Sequence, residues 1–427
     1  MSVLKLEPLW CKLNYPSSIA VDRNGDLLVA ECGLPLGGAP SGGRVLRRWR
    51  DGAVSVVAEN LAPPVNEVLI ANGGVIVSIG GHPARLARLN GTGTIETIVD
   101  GFAGPGNYHL NMAVQGQDEY LYFGVGAMTN TGVVGPDGLE LAWLQQLRHA
   151  PDVPGITVKL SRQSFQATDP MSGEVVETGA FCPFGQPAAP GQVVTSRTPA
   201  TACIMRCRLD GQGLELVAWG IRNAYGLGFL SDGRLIAIDQ GADDRGLRPV
   251  AGAPDFLFEI RYGGWYGWPD FIGGKPITDP AFTPSRGPAP KLVLENHDEL
   301  PKPEEPVVEF PPHSAATKFA EIPEGVDRFR GHLLVTLFGD ERPMTAPRGP
   351  KMGRSVARVD PSDWSVHPVA LTGPSRPIDI AIEPVTDSVY VVDFGVFEMG
   401  DGASVETVPG SGMVWRCSLK EMIAYMA

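Results

Sequence analysis

Two chemically distinctive groups of residues flank the apolar stretch at residues 227–238. Arg222 and Asn223 precede it, and an acidic, glycine-containing loop at residues 239–244 follows it. Arginine presents a rigid fork of donors that suits carboxylates and phosphates. Carboxylates and backbone carbonyls suit a hard cation such as calcium. Neither group helps a strand to form, so their placement predicts a site for an anion, a cation or both.

Histidine adds a third kind of chemistry, because neutral imidazole accepts protons near neutral pH and also binds metal ions. Of the seven histidines, His82, His109 and His313 each lie at the end of an apolar, strand-like run. Exposed turns favour Asn, Asp, Gly and Ser, whereas His and Arg have no turn chemistry to recommend them. An ordinary turn explains any single position equally well. Together, the residues favour a pocket for an anionic, oxygen-rich small molecule.

The elements that position these residues are six copies of one β-hairpin pattern. In each copy an apolar run is followed by a turn containing Gly or Asp, and then by a second apolar run that ends in a small or acidic residue. The copies cover residues 19–31, 68–81, 111–124, 227–239, 317–340 and 378–393. Further strand-like runs between the copies give each hairpin partners for a sheet.

A repeated sheet unit without a long amphipathic helical pattern is typical of a β-propeller, in which sheets of about four strands surround a channel. The six hairpins predict an all-β, six-bladed β-propeller, with residues 1–427 forming a single domain. Two segments rich in proline and glycine, at about residues 126–202 and 265–312, fall outside the repeat. We expect them to be long loop insertions that cover one face of the ring.

Closure of the ring needs one more pair of strands. The runs at residues 4–13 and 413–419 are the strand-like pieces left to complete the sixth sheet, and pairing them would remove exposed sheet edges. This pairing predicts that Cys11 and Cys417 lie in adjacent strands, where they could be near neighbours.

Hairpin topology brings the distinctive residues together. The start of the first strand and the end of the second lie at the same end of an antiparallel hairpin. If each hairpin is the inner pair of its blade, six such ends converge on one rim of the channel. The candidates on this rim are Glu31, Asn66, His109, Arg222, Asn223, Asp239, Gln240, Gly241, Ala242, His313, Arg376 and Asp393.

Composition excludes some partners. The formal net charge is −13, which argues against binding to nucleic acid or anionic membranes, since those surfaces need concentrated Lys and Arg. No apolar run is long enough to predict membrane insertion. The first residues lack a basic segment followed by an apolar run, so no secretory signal is visible. We therefore expect a soluble protein, cytoplasmic by default and periplasmic if a leader has been removed.

Seven stretches of the chain are distinctive: WGIRNAYGLGF, DGRLIAIDQGADDRGLRPV, APDFLFEIRYGGWYGWPD, TNTGVVG, TGAFCPFGQPAAPGQV, RPIDIAIEP and VYVVDFG. Their most specific parts are Arg-Asn-x-x-Gly-Leu followed by Gly-Gly-x-Tyr-Gly-Trp-Pro. Together they resemble the glucose/sorbosone dehydrogenase family, soluble six-bladed propellers that use pyrroloquinoline quinone with calcium. The likeness extends from about residue 107 to the last blade.

The resemblance implies roles for His109, Arg222, Asn223, Arg376, Gly241 and Ala242. His313, Gln240, Asp239 and Glu31 join the candidates through their place on the rim and their side-chain chemistry. His109 would be the general base that takes the hydroxyl proton as hydride passes to the quinone, with Arg222 beside it in catalysis. The cofactor-binding candidates are Arg222, Asn223, Arg376, His313 and Gln240. The calcium candidates are the carbonyls of Gly241 and Ala242, with Asp239 and Glu31 as further ligands. The implied activity is oxidation of a sugar or other small alcohol or aldehyde, with the electron acceptor left open.

Two other classes of function stay open at this point. A calcium-dependent lactonase or related hydrolase on the same architecture would use Glu31, Asp239 and Asn66 as metal ligands, with no redox cofactor. A non-catalytic propeller would use the rim only to bind a ligand. The sequence does not determine the substrate or the oligomeric state.

Overall fold

The protein is an all-β, six-bladed β-propeller, seen in a computed structural model that describes residues 3–91, 93–140, 143–326, 328–401 and 404–426. Each blade has four antiparallel strands, to which blade 3 adds a short fifth strand in parallel, and the predicted hairpins are the innermost two strands of every blade. From the axis outward, the strands of blade 1 are Pro16–Val21, Leu27–Glu31, Gly43–Arg48 and Val54–Leu61. Those of blade 2 are Val65–Ala71, Gly74–Ile79, Ala84–Leu89 and Ile95–Phe102. Those of blade 3 are Leu110–Gln115, Tyr120–Val125, Cys203–Arg208 and Glu215–Trp219. The strands of blade 4 are Ala224–Phe229, Leu235–Asp239, Asp255–Glu259 and Val308–Phe310. Those of blade 5 are Ala316–Glu321, Leu333–Leu337, Ser355–Asp360 and Ser365–Val369. Those of blade 6 are Pro377–Glu383, Ser388–Asp393, Gly412–Ser418 and Glu7–Leu13.

Burial explains why the second strands read as continuous apolar runs. Leu27–Glu31 and Leu235–Asp239 are buried along their whole length, because neighbouring blades cover both faces of each strand. Apolar side chains fill the space between adjacent blades, as Leu28, Val68 and Val77 do between blades 1 and 2. The innermost strands contact one another in sequence and close into a ring.

A bulge marks the start of the innermost strand in every blade. The pairing of the inner two strands shifts register between Pro16 and Ser18 in blade 1, and at the corresponding place in the other five blades. A bulge locally re-aims side chains. Residues at these bulges include Ser17, Asn66, Asn111, Tyr225, Thr317 and Ile378.

The first and last strands close the ring, as the sequence predicted. Glu7–Leu13 pairs with Gly412–Ser418 in blade 6, so Cys11 and Cys417 do lie in adjacent strands. They are not neighbours, because the register places Glu7 opposite Arg416 and Trp10 opposite Val414. Both cysteines are free thiols.

The two long segments run between strands of single blades. Residues 126–202 join the second and third strands of blade 3, and the other segment joins the third and fourth strands of blade 4. The second segment begins with Gly264–Trp265, which pairs in parallel with the outer strand of blade 3. A bridge between Leu160 and Leu294 links the two segments. Their short strands are Val158–Lys159, Ser164–Thr168, Val175–Gly179, Val193–Val194, Phe271–Ile272 and Lys275–Pro276.

The remaining elements are short. Leu4–Lys5 pairs with Leu371–Thr372, and Phe397–Met399 pairs with Val405–Thr407. The α-helices are Asp137–Glu140 and Leu419–Met426, and the 3-10 helices are Leu36–Gly38 and Pro280–Phe282. Within the described ranges, no helix is long and apolar enough to cross a membrane.

Candidate functional site

Arg222 lies at the centre of a polar cluster on the predicted rim, with only 5% of its side chain exposed. Its Nε donates a hydrogen bond to the Gln240 carbonyl at 2.9 Å. Its Nη1 donates to Asn130 Oδ1 at 2.9 Å and lies 3.5 Å from Asp243 Oδ2. The remaining acceptors are the Tyr108 hydroxyl for Nη1 and the Gly241 carbonyl for Nη2. All three guanidinium nitrogens are therefore bound to protein oxygens.

Asn223 and Gln240 are also occupied by protein partners. The Asn223 amide nitrogen donates to Gln240 Oε1 at 2.8 Å, and its oxygen accepts from Asn111 Nδ2 at 2.7 Å. Gln240 Nε2 donates to the Ala316 carbonyl at 3.2 Å. These amides connect blades 3, 4 and 5, so their hydrogen bonds hold the rim together.

Asp239 caps the backbone where the chain enters blade 4. Its carboxylate accepts the backbone N–H of Asn223 at 2.7 Å and that of Arg222 at 3.2 Å. Burial raises its pKa to about 7. Asp393 caps the backbone in the same way in blade 6, where its carboxylate accepts hydrogen bonds from the backbone N–H groups of Ser375 and Arg376. The acidic residue at the end of these second strands thus has a structural role that recurs with the repeat.

Glu31 belongs to a different part of the rim. It accepts hydrogen bonds from the Asn14 backbone at 2.7 Å and from Arg44 Nε at 2.6 Å. Blade 1 lies opposite blade 4 in the ring, so Glu31 and Asp239 do not share a site. Among the described residues, no group of three or more His, Cys, Asp and Glu side chains could hold a metal ion.

The calcium site predicted at Gly241 and Ala242 does not fit this geometry. The Gly241 carbonyl faces the Arg222 guanidinium, whose positive charge would repel a calcium ion bound to the same oxygen. Asp239 has turned both carboxylate oxygens to backbone N–H groups. Glu31 is too far round the ring to contribute. The predicted ligands therefore do not form one coordination sphere.

Arg376 is likewise engaged inside the protein, with 1% of its side chain exposed. Its Nε donates to the Phe397 carbonyl at 3.0 Å and its Nη1 to the Asp340 carbonyl at 2.8 Å. The guanidinium carbon lies 4.9 Å from the centre of the Phe338 ring and 5.7 Å from that of Phe397. Its Nη2 lies 3.4 Å from Glu398 Oε2, so each guanidinium nitrogen of Arg376 contacts a protein oxygen and the residue holds blades 5 and 6 together.

His109 and His313 differ from these arginines, because neither ring has a hydrogen-bond partner in the described part of the chain. Both residues are half-buried at the rim. Burial lowers the pKa of His109 to about 4 and lowers that of His313 as well. Both imidazoles are neutral at pH 7, which leaves them able to accept a proton or a hydrogen bond.

The structure adds two carboxyl groups that the sequence did not single out. Asp243 Oδ2 accepts from the Tyr108 hydroxyl at 3.0 Å and from Arg245 Nε at 3.2 Å, while Oδ1 has no partner among the described residues. Burial opposes ionisation of Asp243, but Arg222 and Arg245 outweigh it and lower the pKa. Burial raises the pKa of Glu341, whose carboxyl group has no hydrogen bond to any described side chain or backbone group.

These carboxyl groups lie on the loops that follow the second strands of blades 4 and 5. The two loops are joined by a hydrogen bond from the Asp244 N–H to the Thr345 carbonyl at 2.8 Å. Asp243 lies in the acidic loop that drew attention in the sequence, but only its neighbours were given roles. Glu341 sits in no recognisable pattern, so no local signal could have found it.

Three buried donors beside these loops have no hydrogen-bond acceptor among the described residues. They are Arg245 Nη1, Arg342 Nε and Thr345 Oγ1. The side chains of Arg245 and Arg342 are only 6% and 9% exposed. A buried unsatisfied donor is costly. Two of these donors nevertheless face a protein carboxylate beyond hydrogen-bond distance, since Arg245 Nη1 lies 4.0 Å from Asp137 Oδ2 and Arg342 Nε lies 3.6 Å from Asp340 Oδ2. A ligand carboxylate that reached these loops would find donors whose hydrogen bonds are not yet made.

Lys318, in the innermost strand of blade 5, reaches across the centre of the ring to the innermost strands of three other blades. Its ammonium group is fully buried and contacts Glu67 Oε2 at 2.6 Å and Asp379 Oδ2 at 3.2 Å. It also donates to the carbonyls of Asn66 at 3.0 Å and Ser17 at 3.3 Å. These partners come from blades 1, 2 and 6, whereas Lys318 comes from blade 5. We call Lys318, Glu67 and Asp379 the channel plug.

Solved structures match the fold over nearly the whole chain. The PQQ-bound aldose sugar dehydrogenase of Streptomyces coelicolor is 16% identical with a TM-score of 0.59, and 97% of each chain is covered. The PQQ domain of pyranose dehydrogenase from Coprinopsis cinerea is 15% identical with a TM-score of 0.56, covering 97% of this chain and 96% of that one. The apo-form aldose sugar dehydrogenase of Escherichia coli is 13% identical with a TM-score of 0.54, covering 97% and 99%.

At these identities the similarity shows the fold alone. No protein-family model matches the chain, and no curated protein matches it.

Proposed function

We propose that this propeller is an oxidoreductase that oxidises a sugar or another small alcohol at the mouth of the channel, by which we mean the part of the rim that carries His109, Arg222, Asp243, His313 and Glu341. The observation that carries the proposal is His109, a neutral, half-buried imidazole at the rim with no hydrogen-bond partner among the described residues. Oxidation of an alcohol by hydride transfer needs a group that accepts the hydroxyl proton, and neutral imidazole meets that need. The structural neighbours named as sugar dehydrogenases support the same class of reaction.

In this proposal the other groups of the mouth hold the substrate. Asp243 Oδ1 accepts a hydrogen bond from a substrate hydroxyl, because Tyr108 and Arg245 fix the carboxylate through its other oxygen. Glu341 and His313 provide further hydrogen bonds to a polyhydroxylated molecule. A neutral sugar offers both donors and acceptors to such a set, which suits groups whose pKa values burial has moved toward the neutral form.

The hydride acceptor in the proposal is pyrroloquinoline quinone, since the Streptomyces coelicolor neighbour is PQQ-bound and the Coprinopsis cinerea neighbour is the holo form of a PQQ domain. When bound, the quinone supplies the two-electron acceptor that the protein side chains lack. Its carboxylates would be held by Arg245, Arg342 and Thr345, each of which has one buried donor without a hydrogen bond among the described residues. Arg245 and Arg342 also face Asp137 and Asp340, so the quinone would share these arginines with protein carboxylates. Arg222, Asn223 and Arg376 would support the mouth from behind. Calcium has no place in this proposal, since its predicted ligands are not brought together.

A metal-dependent lactonase is a weaker reading of the same rim. It requires Glu31 and Asp239 to bind one ion, but Glu31 pairs with Arg44 in blade 1 and Asp239 caps backbone N–H groups in blade 4. No observation in the described residues favours that activity.

The test is titration of the purified protein with pyrroloquinoline quinone, followed by absorbance, in parallel samples containing EDTA or calcium chloride. We expect saturable binding in both samples. Addition of an aldose such as D-glucose, with a redox dye, should then bleach the dye. Absence of saturable quinone binding from both samples would remove the proposal, and ligand binding without turnover of any aldose would favour a non-catalytic propeller.

A further inference from the structure

Five oxygen atoms surround the Arg222 guanidinium. The set contains two backbone carbonyls, one amide oxygen, one hydroxyl and one carboxylate. They belong to Gln240, Gly241, Asn130, Tyr108 and Asp243. Backbone carbonyls, amide oxygens and carboxylates are also the ligand types that calcium sites in proteins use.

The guanidinium completes this shell because its donors have fixed directions. Nε, Nη1 and Nη2 each meet at least one oxygen, and the guanidinium carbon stacks 4.3 Å from the centre of the Tyr108 ring. The arrangement joins blade 3, the long segment after it and the acidic loop of blade 4. A single buried cation therefore holds three parts of the mouth in place.

We propose that the Arg222 guanidinium is a built-in cation that takes the place of calcium at this mouth, so that the protein assembles and holds its site without a bound metal ion. The cation is attached to the chain, so chelators cannot remove it. The inference rests on the proposed function only where it concerns quinone binding. The statement about the mouth itself stands on the contacts of Arg222.

The first test uses the wild-type protein. Its melting temperature should be unchanged, within about 1 °C, between EDTA and millimolar calcium chloride, since a ligand stabilises a protein only if it binds the native state. Isothermal titration calorimetry with calcium chloride should show no binding. Stoichiometric calcium binding accompanied by a rise in melting temperature would overturn the inference.

The second test removes the guanidinium group from the centre of the five oxygens. Arg222→Ala leaves the five oxygens without their cation, so the melting temperature should fall by several degrees. Millimolar guanidinium chloride, far below denaturing concentrations, should restore part of that loss, and calcium chloride should do the same. Arg234→Ala is the matched control, because Arg234 lies in the hairpin turn at the other end of blade 4 and pairs with Asp232. Neither cation should affect it.

Failure of both cations to stabilise Arg222→Ala would overturn the inference. If that variant does not fold, Arg222→Lys keeps a positive charge without the fork of donors. It should fold with a lower melting temperature than wild type and, like wild type, should not bind calcium. Calcium binding to Arg222→Lys would contradict the claim that a side-chain cation fills the site.

The quinone titration separates this inference from the proposed function. Equal quinone binding in EDTA and in calcium supports both. Binding in calcium alone overturns the inference and leaves the oxidoreductase standing. If quinone does not bind but both cations rescue Arg222→Ala, the proposed function fails and the built-in cation remains.

Discussion

The mouth and the channel plug are both polar, and both lie near the axis of the ring, but they treat ionisable groups in opposite ways. In the plug, the Lys318 ammonium group contacts two carboxylates and two carbonyls. At the mouth, the side chains of His109, His313 and Glu341 have no hydrogen-bond partner among the described residues, and each residue is half-buried. A group whose hydrogen bonds are filled by the protein stabilises the fold. A group whose hydrogen bonds are unfilled is available to a ligand.

The same contrast separates the two kinds of residue that the sequence grouped together. Four of them form hydrogen bonds to other parts of the protein and therefore stabilise the fold, as the channel plug does, although they lie at the rim. These four are Arg222, Asn223, Asp239 and Arg376. Type and position along the chain did not distinguish them from His109. Only the partners of each side chain did.

The largest effect is expected from Lys318→Met. The substitution leaves Glu67 and Asp379 buried together without their cation, and breaking a buried ion pair from one side costs about 3–5 kcal/mol. The free energy of unfolding, measured by urea denaturation, should fall by that amount. Adding Glu67→Gln to the same variant should recover part of the loss, because one buried charge disappears. A stability equal to wild type would mean that the plug does not hold the blades together.

The next largest effect is on turnover. His109→Gln keeps much of the shape of the side chain but cannot act as a base, so turnover should fall by about a hundredfold or more, with the melting temperature nearly intact. Steady-state kinetics with the dye assay checks this. His332→Gln is the control, since His332 contacts Arg358 at 2.9 Å and lies 3.5 Å from Asp360, away from the rim. Equal losses in the two variants would show that His109 is not the proton acceptor.

A smaller effect concerns pH and the plug. Burial raises the pKa of Glu67 from 4.5 to about 7, against the opposing influence of Lys318. The native state therefore holds this proton more tightly than the unfolded chain. The resulting stabilisation is complete below pH 4.5 and is lost as the pH rises toward 7. The melting temperature of wild type relative to Glu67→Gln should decline over that window, and a flat difference would contradict the assignment.

The smallest effect is expected from Glu341→Ala. Loss of one hydrogen bond to the substrate, worth about 0.5–1.5 kcal/mol, should raise KM by up to about tenfold while kcat changes little. Glu96→Gln, on the exposed outer strand of blade 2, is the control and should leave both constants unchanged. If KM of Glu341→Ala equals that of wild type, Glu341 does not contact the substrate.

The fold was largely predictable because its signal is local and repeated. Two apolar runs separated by a turn predict each hairpin. Six copies of such a sheet unit have few ways to bury their faces other than packing in a ring. The strands at residues 4–13 and 413–419 followed by elimination, and Glu7–Leu13 does pair with Gly412–Ser418. The register of that pair did not follow, since alternation alone leaves the offset between Cys11 and Cys417 undetermined.

The site was less predictable, because its chemistry depends on the hydrogen-bond and ion-pair partners of each side chain. Asp239 and Glu31 are acids at the ends of equivalent strands, yet one caps backbone N–H groups and the other pairs with Arg44, in opposite blades. Lys318 escaped notice because a lysine inside an apolar strand has no local pattern. Its partners Glu67 and Asp379 lie 251 and 61 residues away.

The sequence by itself determined the number of blades, the inner hairpins and the rim on which the polar residues gather, since each of these follows from patterns within about twenty residues. The tertiary structure decided which of those residues are free. That depends on the guanidinium of Arg222 meeting oxygens from blades 3 and 4, and on the Asp243 carboxylate turning one oxygen to Tyr108 and leaving the other bare. Such contacts join residues far apart along the chain, and their geometry exists only once the ring has closed.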